Sequence, residues 1–241
     1  MRYLTSRETF AALFREICDV VIPRGCAGCD RPDETLCDEC RLRFSQCLVR
    51  SIPGIDRGVF SAGRYGAETR RAILQWKDHG DEEVTADMCD IICRCVRDSG
   101  LASRLHVGGN GSGRIVVVPV PSTPASLHRR GRRHVLPLAK AIRTMLRNGG
   151  VAADVDQILS IAGRLGKSVQ QSGVAGRLGR LEGHIRVCGR PPDDGGVVLV
   201  DDIITTGSTM RQCVRALREH GIPVVAAYTL ASVTRRAVSR P

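Results

Sequence analysis

The sequence of 241 residues lacks any long uninterrupted apolar segment. Apolar runs such as residues 115–118 and 197–200 are far shorter than the roughly 20 residues needed to cross a bilayer. Charged side chains also interrupt every N-terminal window in which the apolar region of a secretory signal, about 7–15 residues, would have to lie. The sequence therefore predicts a cytoplasmic protein without a membrane span.

Aromatic side chains and lysines are both scarce. Aromatics make up 3% of the chain, which leaves few rings for stacking on bases and argues against a dedicated single-strand binding surface. Only three of the 36 basic residues are lysine, so arginine carries the net charge of +11. Guanidinium groups bind phosphate in a bidentate fork, so this balance favours a phosphate-bearing partner, either a polyphosphate ligand or nucleic acid. A GC-rich genome would also place arginine on surfaces without such a role, and composition alone leaves both interpretations open.

Cysteine, by contrast, is abundant, with eleven residues in the chain. Four of them form two C-x-x-C pairs separated by seven residues: Cys26, Cys29, Cys37 and Cys40. Each pair can place two thiolates on one tetrahedral ion, so the pattern predicts a zinc site. Because four protein ligands close the coordination shell, the predicted role is structural. The alternative is a set of four reduced structural cysteines or a redox pair.

The order of apolar patterns predicts an α/β fold with a parallel sheet and helices on both faces. Predicted strands cover residues 58–65, 115–119, 197–200 and 224–230, and predicted helices cover 68–98 with a break near 79–80, 134–146 and 208–220. Residues 157–190 are rich in glycine and arginine, which favours a mobile excursion. We expect two parts: residues 1–50, an N-terminal helix with the four-cysteine zinc module, and residues 51–241, the α/β domain.

The most informative segment is VVLVDDIITTGST at residues 197–209. A buried strand ends in two carboxylates, Asp201 and Asp202, and a turn rich in hydroxyl groups then opens a helix. In open α/β sheets ligands bind at that edge, and a helix N-terminus favours anions. The segment resembles, over its full length, the phosphoribosyl pyrophosphate (PRPP) signature of type I phosphoribosyltransferases.

A broader resemblance covers residues 23–231. The cysteine-rich N-terminus, AILQWKDHG at 72–80, VPVP at 118–121, Arg130-Gly131 and the PRPP signature follow one another as in the ComF family. These phosphoribosyltransferase-like proteins are associated with DNA uptake in competent bacteria. Where the family usually has Phe-Asn-Gln after its Arg-Gly, this chain has Arg132, Arg133 and His134.

The resemblance implies roles for particular residues. Asp201 and Asp202 would be catalytic and hold the ribose hydroxyls, while the 5′-phosphate would bind to Thr205, Thr206, Gly207, Ser208 and Thr209. The pyrophosphate would lie against a loop formed by Pro121, Ser122 and Thr123, with Arg130 close by, and Mg²⁺ would accompany PRPP. His128 and His134 are expected to be surface residues, and Lys77 either points at the cleft or, as the default, lies on the helix surface.

Two classes of function follow. The first is a phosphoribosyltransferase that uses PRPP and Mg²⁺, releases pyrophosphate and acts on an unidentified, nucleobase-like acceptor. The second is a non-catalytic accessory protein of DNA uptake that binds single-stranded DNA or competence proteins and keeps the PRPP pocket as a sensor or relic. The PRPP signature does not separate the two classes, because both bind the donor.

Overall fold

The computed structural model describes residues 24–107, 114–161, 185–189 and 195–233. The N-terminal helix expected before Pro23 lies outside these residues. So do Arg164 and Lys167 and most of the excursion expected at 157–190. The two ends of that excursion are described, and they pair with each other as a short antiparallel ladder.

Seven helices and eight strands form in the described part of the chain. The helices are α1 (Asp38–Leu42), α2 (Ala67–Asp78), α3 (Thr85–Asp98), α4 (Leu101–Val107), α5 (Pro124–Arg130), α6 (Val135–Asn148) and α7 (Ser208–Glu219). The strands are β1 (Leu48–Arg50), β2 (Val59–Arg64), β3 (Arg114–Pro119), β4 (Ala153–Val155), β5 (Leu159–Ile161), β6 (Ile185–Val187), β7 (Gly195–Ile204) and β8 (Val224–Ser232). None of these helices is both long and apolar enough to cross a membrane.

Six strands make one sheet in the order β1-β2-β8-β7-β3-β4. Every neighbouring pair is parallel except β1 and β2, which are antiparallel. Parallel strands need crossover connections, and helices supply them on both faces. The α/β fold with a mostly parallel sheet is therefore confirmed.

The direction of the crossovers reverses between β3 and β7. The chain leaves β3 through α6 to reach β4 on one side, and it leaves β7 through α7 to reach β8 on the other. Such a reversal opens a crevice beyond the carboxyl ends of the two strands, where ligands bind in open α/β sheets. The topology therefore places a ligand crevice between the loop after β3 and the loop after β7.

The core has two layers, one on each side of the sheet. Along β7, Val198 and Val200 join the layer that contains α3 and α6, while Val197 and Leu199 join the layer that contains α7. This alternation is the two-residue period of a strand. Continued for two more residues, it directs the Asp201 side chain toward the α7 layer and the Asp202 side chain toward the α6 layer.

The cysteine-rich segment packs directly against the α/β core. Cys26, Cys37, Cys40 and Phe44 are buried in the same apolar cluster as Trp76. Polar contacts also join this segment to α3. The buried carboxylate of Asp87 accepts a hydrogen bond from Thr35 Oγ1 at 3.0 Å and is paired with Arg41. Burial of these apolar groups removes them from water and stabilises the contact.

Candidate functional site

Two loops face each other across the crevice. The first follows β3 and begins at Val120, whose backbone N–H donates to Val200 O of β7 at 2.8 Å. The second follows the acidic pair at the end of β7 and leads into α7. β3 and β7 are adjacent and parallel; β3 ends at Pro119, opposite Val200, and β7 continues to Ile204, so the acidic pair lies just beyond the end of β3. The predicted ribose, phosphate and pyrophosphate residues therefore lie along one edge.

Asp202 is buried, with 7% of its surface exposed, and its carboxylate is held by three donors. Oδ2 accepts from Lys77 Nζ at 2.8 Å and from His134 Nε2 at 2.9 Å. Oδ1 accepts from the backbone N–H of Ile203 at 2.6 Å. A carboxylate offers about four acceptor positions, so roughly one remains for a ligand.

The partners of Asp202 determine its charge. Burial acts to raise the pKa of this carboxyl group, but the hydrogen bond from His134 and the charge of Lys77 outweigh burial and bring the pKa well below its usual range. Asp202 is therefore ionised at neutral pH and compensated within the protein.

Asp201 is in a different environment, half-buried on the other face of the strand. Its Oδ1 accepts one hydrogen bond, from the backbone N–H of Asp202 at 2.8 Å. Burial, and secondarily the negative charge of Asp202, raise the pKa of Asp201 well above its usual range. Of the two acids, Asp201 has more acceptor capacity available for ribose hydroxyls.

The loop between β7 and α7 is held in shape from both sides. Arg50, at the end of β1, donates to the carbonyl oxygens of Thr205 at 2.7 Å and Thr206 at 3.0 Å. On the helix side, the Ser208 N–H donates to Thr206 Oγ1 at 3.3 Å. Gly207 has φ of 79°, the left-handed conformation that side chains disfavour. Thr205, Thr206 and Thr209 are exposed, as residues that contact a ligand must be.

The predicted pyrophosphate loop lies on the β3 side. Pro121 and Ser122 are half-buried and Thr123 is exposed. Thr123 caps α5, since its Oγ1 accepts from the Ser126 N–H at 3.2 Å. Beside this loop is a largely apolar cavity of about 170 Å³, in which Ser122, Arg133 and Gln157 are among the polar lining residues.

A cluster of contacts joins α2 to the segment after α5. Arg132 donates to the carbonyl oxygen of Trp76 and lies over its indole ring, 5.8 Å from the centroid. Arg130 donates through Nε to Asp78 Oδ1 at 2.8 Å and through a terminal nitrogen to His134 Nδ1 at 3.4 Å. The guanidinium of Arg130 is thus bound to Asp78 and His134, and 10% of the side chain is exposed.

These contacts decide two sequence-based expectations. His134 was expected at the surface, yet it is 3% exposed and contacts Asp202. For Lys77 the cleft-facing alternative forms instead of the default surface position, since Nζ also contacts Asp202. The surface assignment fails because an isolated lysine or histidine in a helical pattern carries no signal of its distant partner. His128, expected at the surface, is exposed.

The arginines that follow the β3 loop, which a nucleic-acid backbone would have to meet in the second class of function, have partners within the protein. Arg129 lies 3.7 Å from Asp78, Arg132 lies 3.4 Å from Glu82, and Arg133 donates to Gln157. Pairing with acidic residues lowers the positive potential that a nucleic-acid backbone would meet.

The four predicted metal-binding cysteines converge. Their sulfur atoms all lie within 4.8 Å of one another, and four thiolates around a zinc ion would be about 3.8 Å apart at a Zn–S distance of about 2.3 Å. Gly28 must be glycine, since a Cβ there would lie 2.6 Å from Cys40 Sγ. The cluster therefore fits a tetrahedral metal ion.

Backbone donors favour the thiolate form of Cys26, whereas burial raises the pKa of Cys37 and Cys40. Cys26 Sγ accepts from the N–H groups of Cys37 at 3.3 Å and Gly28 at 3.4 Å. Burial acts to raise the Cys26 pKa, but these backbone hydrogen bonds outweigh it and lower the pKa to about 7. In helix α3, by contrast, burial raises the pKa of the Cys89 and Cys93 thiols to about 11, which suits inert packing residues.

Comparison with known proteins gives one family match. Residues 181–240, about a quarter of the chain, match the phosphoribosyl transferase domain family, and this stretch includes the acidic pair, the loop and α7. No curated protein matches the chain in sequence.

Two solved structures illustrate the structural similarity. A hypoxanthine phosphoribosyltransferase from Staphylococcus aureus is 13% identical, with a TM-score of 0.33 over 63% of this chain and 76% of that chain. An orotate phosphoribosyltransferase from Aeropyrum pernix is 20% identical, with a TM-score of 0.28 over 72% of each chain.

Proposed function

We propose that the protein is a phosphoribosyltransferase of the ComF type that binds PRPP with Mg²⁺ and transfers the phosphoribosyl group to a nucleobase-like acceptor. The observation that carries this proposal is the crevice at the reversal point of the sheet. There the acidic pair and the hydroxyl-rich loop of β7 lie across from the loop after β3. The match of residues 181–240 to the phosphoribosyl transferase domain supports the same assignment.

In the proposed reaction, the bond between ribose C1′ and the pyrophosphate oxygen breaks, and pyrophosphate leaves with the electron pair. A nitrogen of the acceptor forms the new bond to C1′ and gives up its proton. Asp201 accepts hydrogen bonds from the ribose hydroxyls, and the remaining acceptor position of Asp202 contributes one more. The Thr205–Thr209 loop holds the 5′-phosphate, so that C1′ faces the acceptor in a fixed orientation.

The two ions of the proposal differ in how the protein holds them. Mg²⁺ would supply charge compensation to the leaving pyrophosphate, and no protein ligand is assigned to it. Zinc is proposed at Cys26, Cys29, Cys37 and Cys40, where it would hold together the two C-x-x-C turns of the N-terminal module of residues 1–50. The remainder, residues 51–241, is proposed as the phosphoribosyltransferase domain.

Calorimetry tests donor binding directly. We expect PRPP to bind in the presence of Mg²⁺ and Asp201→Asn to weaken binding about ten- to a hundredfold, since a hydrogen bond to a charged group contributes about 1.5–3 kcal/mol. The exposed Asp56 provides the matched control, and Asp56→Asn should bind PRPP like the wild type. Wild-type protein that binds no PRPP contradicts the proposal. Pyrophosphate release with a panel of nucleobases then distinguishes turnover from binding alone.

A further inference from the structure

We propose that Lys77 and His134 are positioning residues of the donor site, which hold the Asp202 carboxylate ionised and in one orientation for the ribose. This inference rests on the proposed function. It adds two residues from outside the PRPP signature, one from α2 and one from the start of α6. Both act through Asp202 and neither is placed against PRPP.

The hydrogen-bond pattern orients the His134 ring. The Arg130 guanidinium lies 3.4 Å from His134 Nδ1, and a guanidinium can only donate, so Nδ1 is the acceptor in this contact. Nε2 donates to Asp202 Oδ2 at 2.9 Å. Arg130 is itself fixed by Asp78, the neighbour of Lys77 on α2. The chain of contacts thus closes a ring in which each member orients the next.

The charges around Asp202 explain why two donors are needed. Its surroundings are Lys77 from α2, His134 just before α6 and the second acid, Asp201, on its own strand. On the far side of Asp201 lies the thiol of Cys213 from α7, whose pKa is raised by burial. Lys77 is the one lysine or arginine that directly contacts the acidic pair among the described residues. Without Lys77, burial and the neighbouring acid would both favour protonation of Asp202.

A ligand-free titration tests the proposal first. In protein labelled with ¹³C-aspartate, the Asp202 resonance is assigned by its loss in Asp202→Asn. We expect the wild-type signal to remain that of a carboxylate throughout the pH range in which the protein is folded, and Lys77→Met to bring a titration midpoint into that range. Lys77→Arg should restore the wild-type signal. Lys140→Met, at an exposed lysine of α6, is the matched control and should leave it unchanged.

Donor binding tests the same residues by a second route. We expect Lys77→Met to weaken PRPP binding about ten- to a hundredfold, the range for loss of a charged hydrogen bond. His134→Leu should weaken binding as well, while His134→Gln, which can place a donor at the same position, should retain most of it. His128→Gln is the control at an exposed histidine.

The double variant Lys77→Met/Asp202→Asn separates positioning from direct contact. If Lys77 acts through Asp202, the double variant binds PRPP no more weakly than Asp202→Asn alone. Additive losses would mean that Lys77 touches PRPP itself and would overturn the proposal, as would an Asp202 signal in Lys77→Met that stays that of a carboxylate throughout the folded pH range. If the wild type binds no PRPP, the proposed function fails, and the titration alone decides the positioning role. If Lys77→Met does not fold, the comparison of His134→Leu with His134→Gln decides it.

Discussion

Gly207 provides a quantitative test of the proposal that the Thr205–Thr209 loop binds the 5′-phosphate. Its φ is 79°, and a side chain in the left-handed conformation costs roughly 1–2 kcal/mol. A Cβ at this position would lie 3.2 Å from Ile52 Cδ1 and 3.3 Å from a guanidinium nitrogen of Arg211, so both neighbours would have to move by a few tenths of an ångström. Gly207→Ala should therefore destabilise the fold by about 1–2 kcal/mol and displace the loop.

Gly221, at the other end of the same helix, separates the two effects. Its φ is 71°, and a Cβ there would meet nothing within 4 Å. Gly221→Ala should thus carry the same backbone cost of roughly 1–2 kcal/mol without any crowding and far from the crevice. Denaturant unfolding of both variants measures this shared cost.

PRPP calorimetry then measures what is specific to Gly207. Loss of one hydrogen bond to a charged phosphate corresponds to about 1.5–3 kcal/mol, so Gly207→Ala should bind PRPP about ten- to a hundredfold more weakly. Gly221→Ala should bind like the wild type. Equal PRPP affinity in the two alanine variants, at similar stability, would refute the assignment of this loop to the 5′-phosphate.

Two further predictions concern the metal and the acidic pair. Elemental analysis should find one zinc per chain, lost in Cys26→Ala/Cys37→Ala, and chelation should lower the thermal midpoint because metal binding supplies folding free energy; protein without zinc contradicts this. Asp201→Asn should stabilise the fold at pH 7. Because the folded-state pKa of Asp201 is raised, its contribution to stability is fully present below the unfolded pKa of 3.8 and is lost as the pH rises through the folded pKa, whereas Asn does not ionise. The gain should disappear below pH 3.8, and a variant less stable than wild type at pH 7 would show that Asp201 is not strained by ionisation.

Local sequence was sufficient for the elements that carry the donor signature. The predicted strand at 197–200 lies within β7, and the predicted helix at 208–220 corresponds to α7 (Ser208–Glu219). Both are encoded by short-range patterns, a run of apolar residues that fits a buried strand and an amphipathic period after a glycine. The two C-x-x-C pairs are local in the same sense, since each turn brings its own two sulfurs together.

The short ladder between β5 and β6 and the other short strands were beyond such patterns. Strands β4, β5 and β6 have three residues each, too few for a period to stand out from loop sequence. They form because neighbours are available: β4 pairs with β3, and β5 pairs with β6.

What the sequence by itself determined is therefore the chemistry at the sheet edge, two adjacent acids and a hydroxyl-rich loop, and the four spaced thiols of the separate cysteine cluster, each within a short segment. Only the tertiary structure decided which side chains hold that chemistry in place. Lys77 reaches Asp202 across 125 positions, His134 across 68, and Arg50 reaches Thr205 across 155. The physical reason is that a strand's two-residue period sends Asp202 to one face of the sheet, but the partner it meets there depends on how the helices pack over that face.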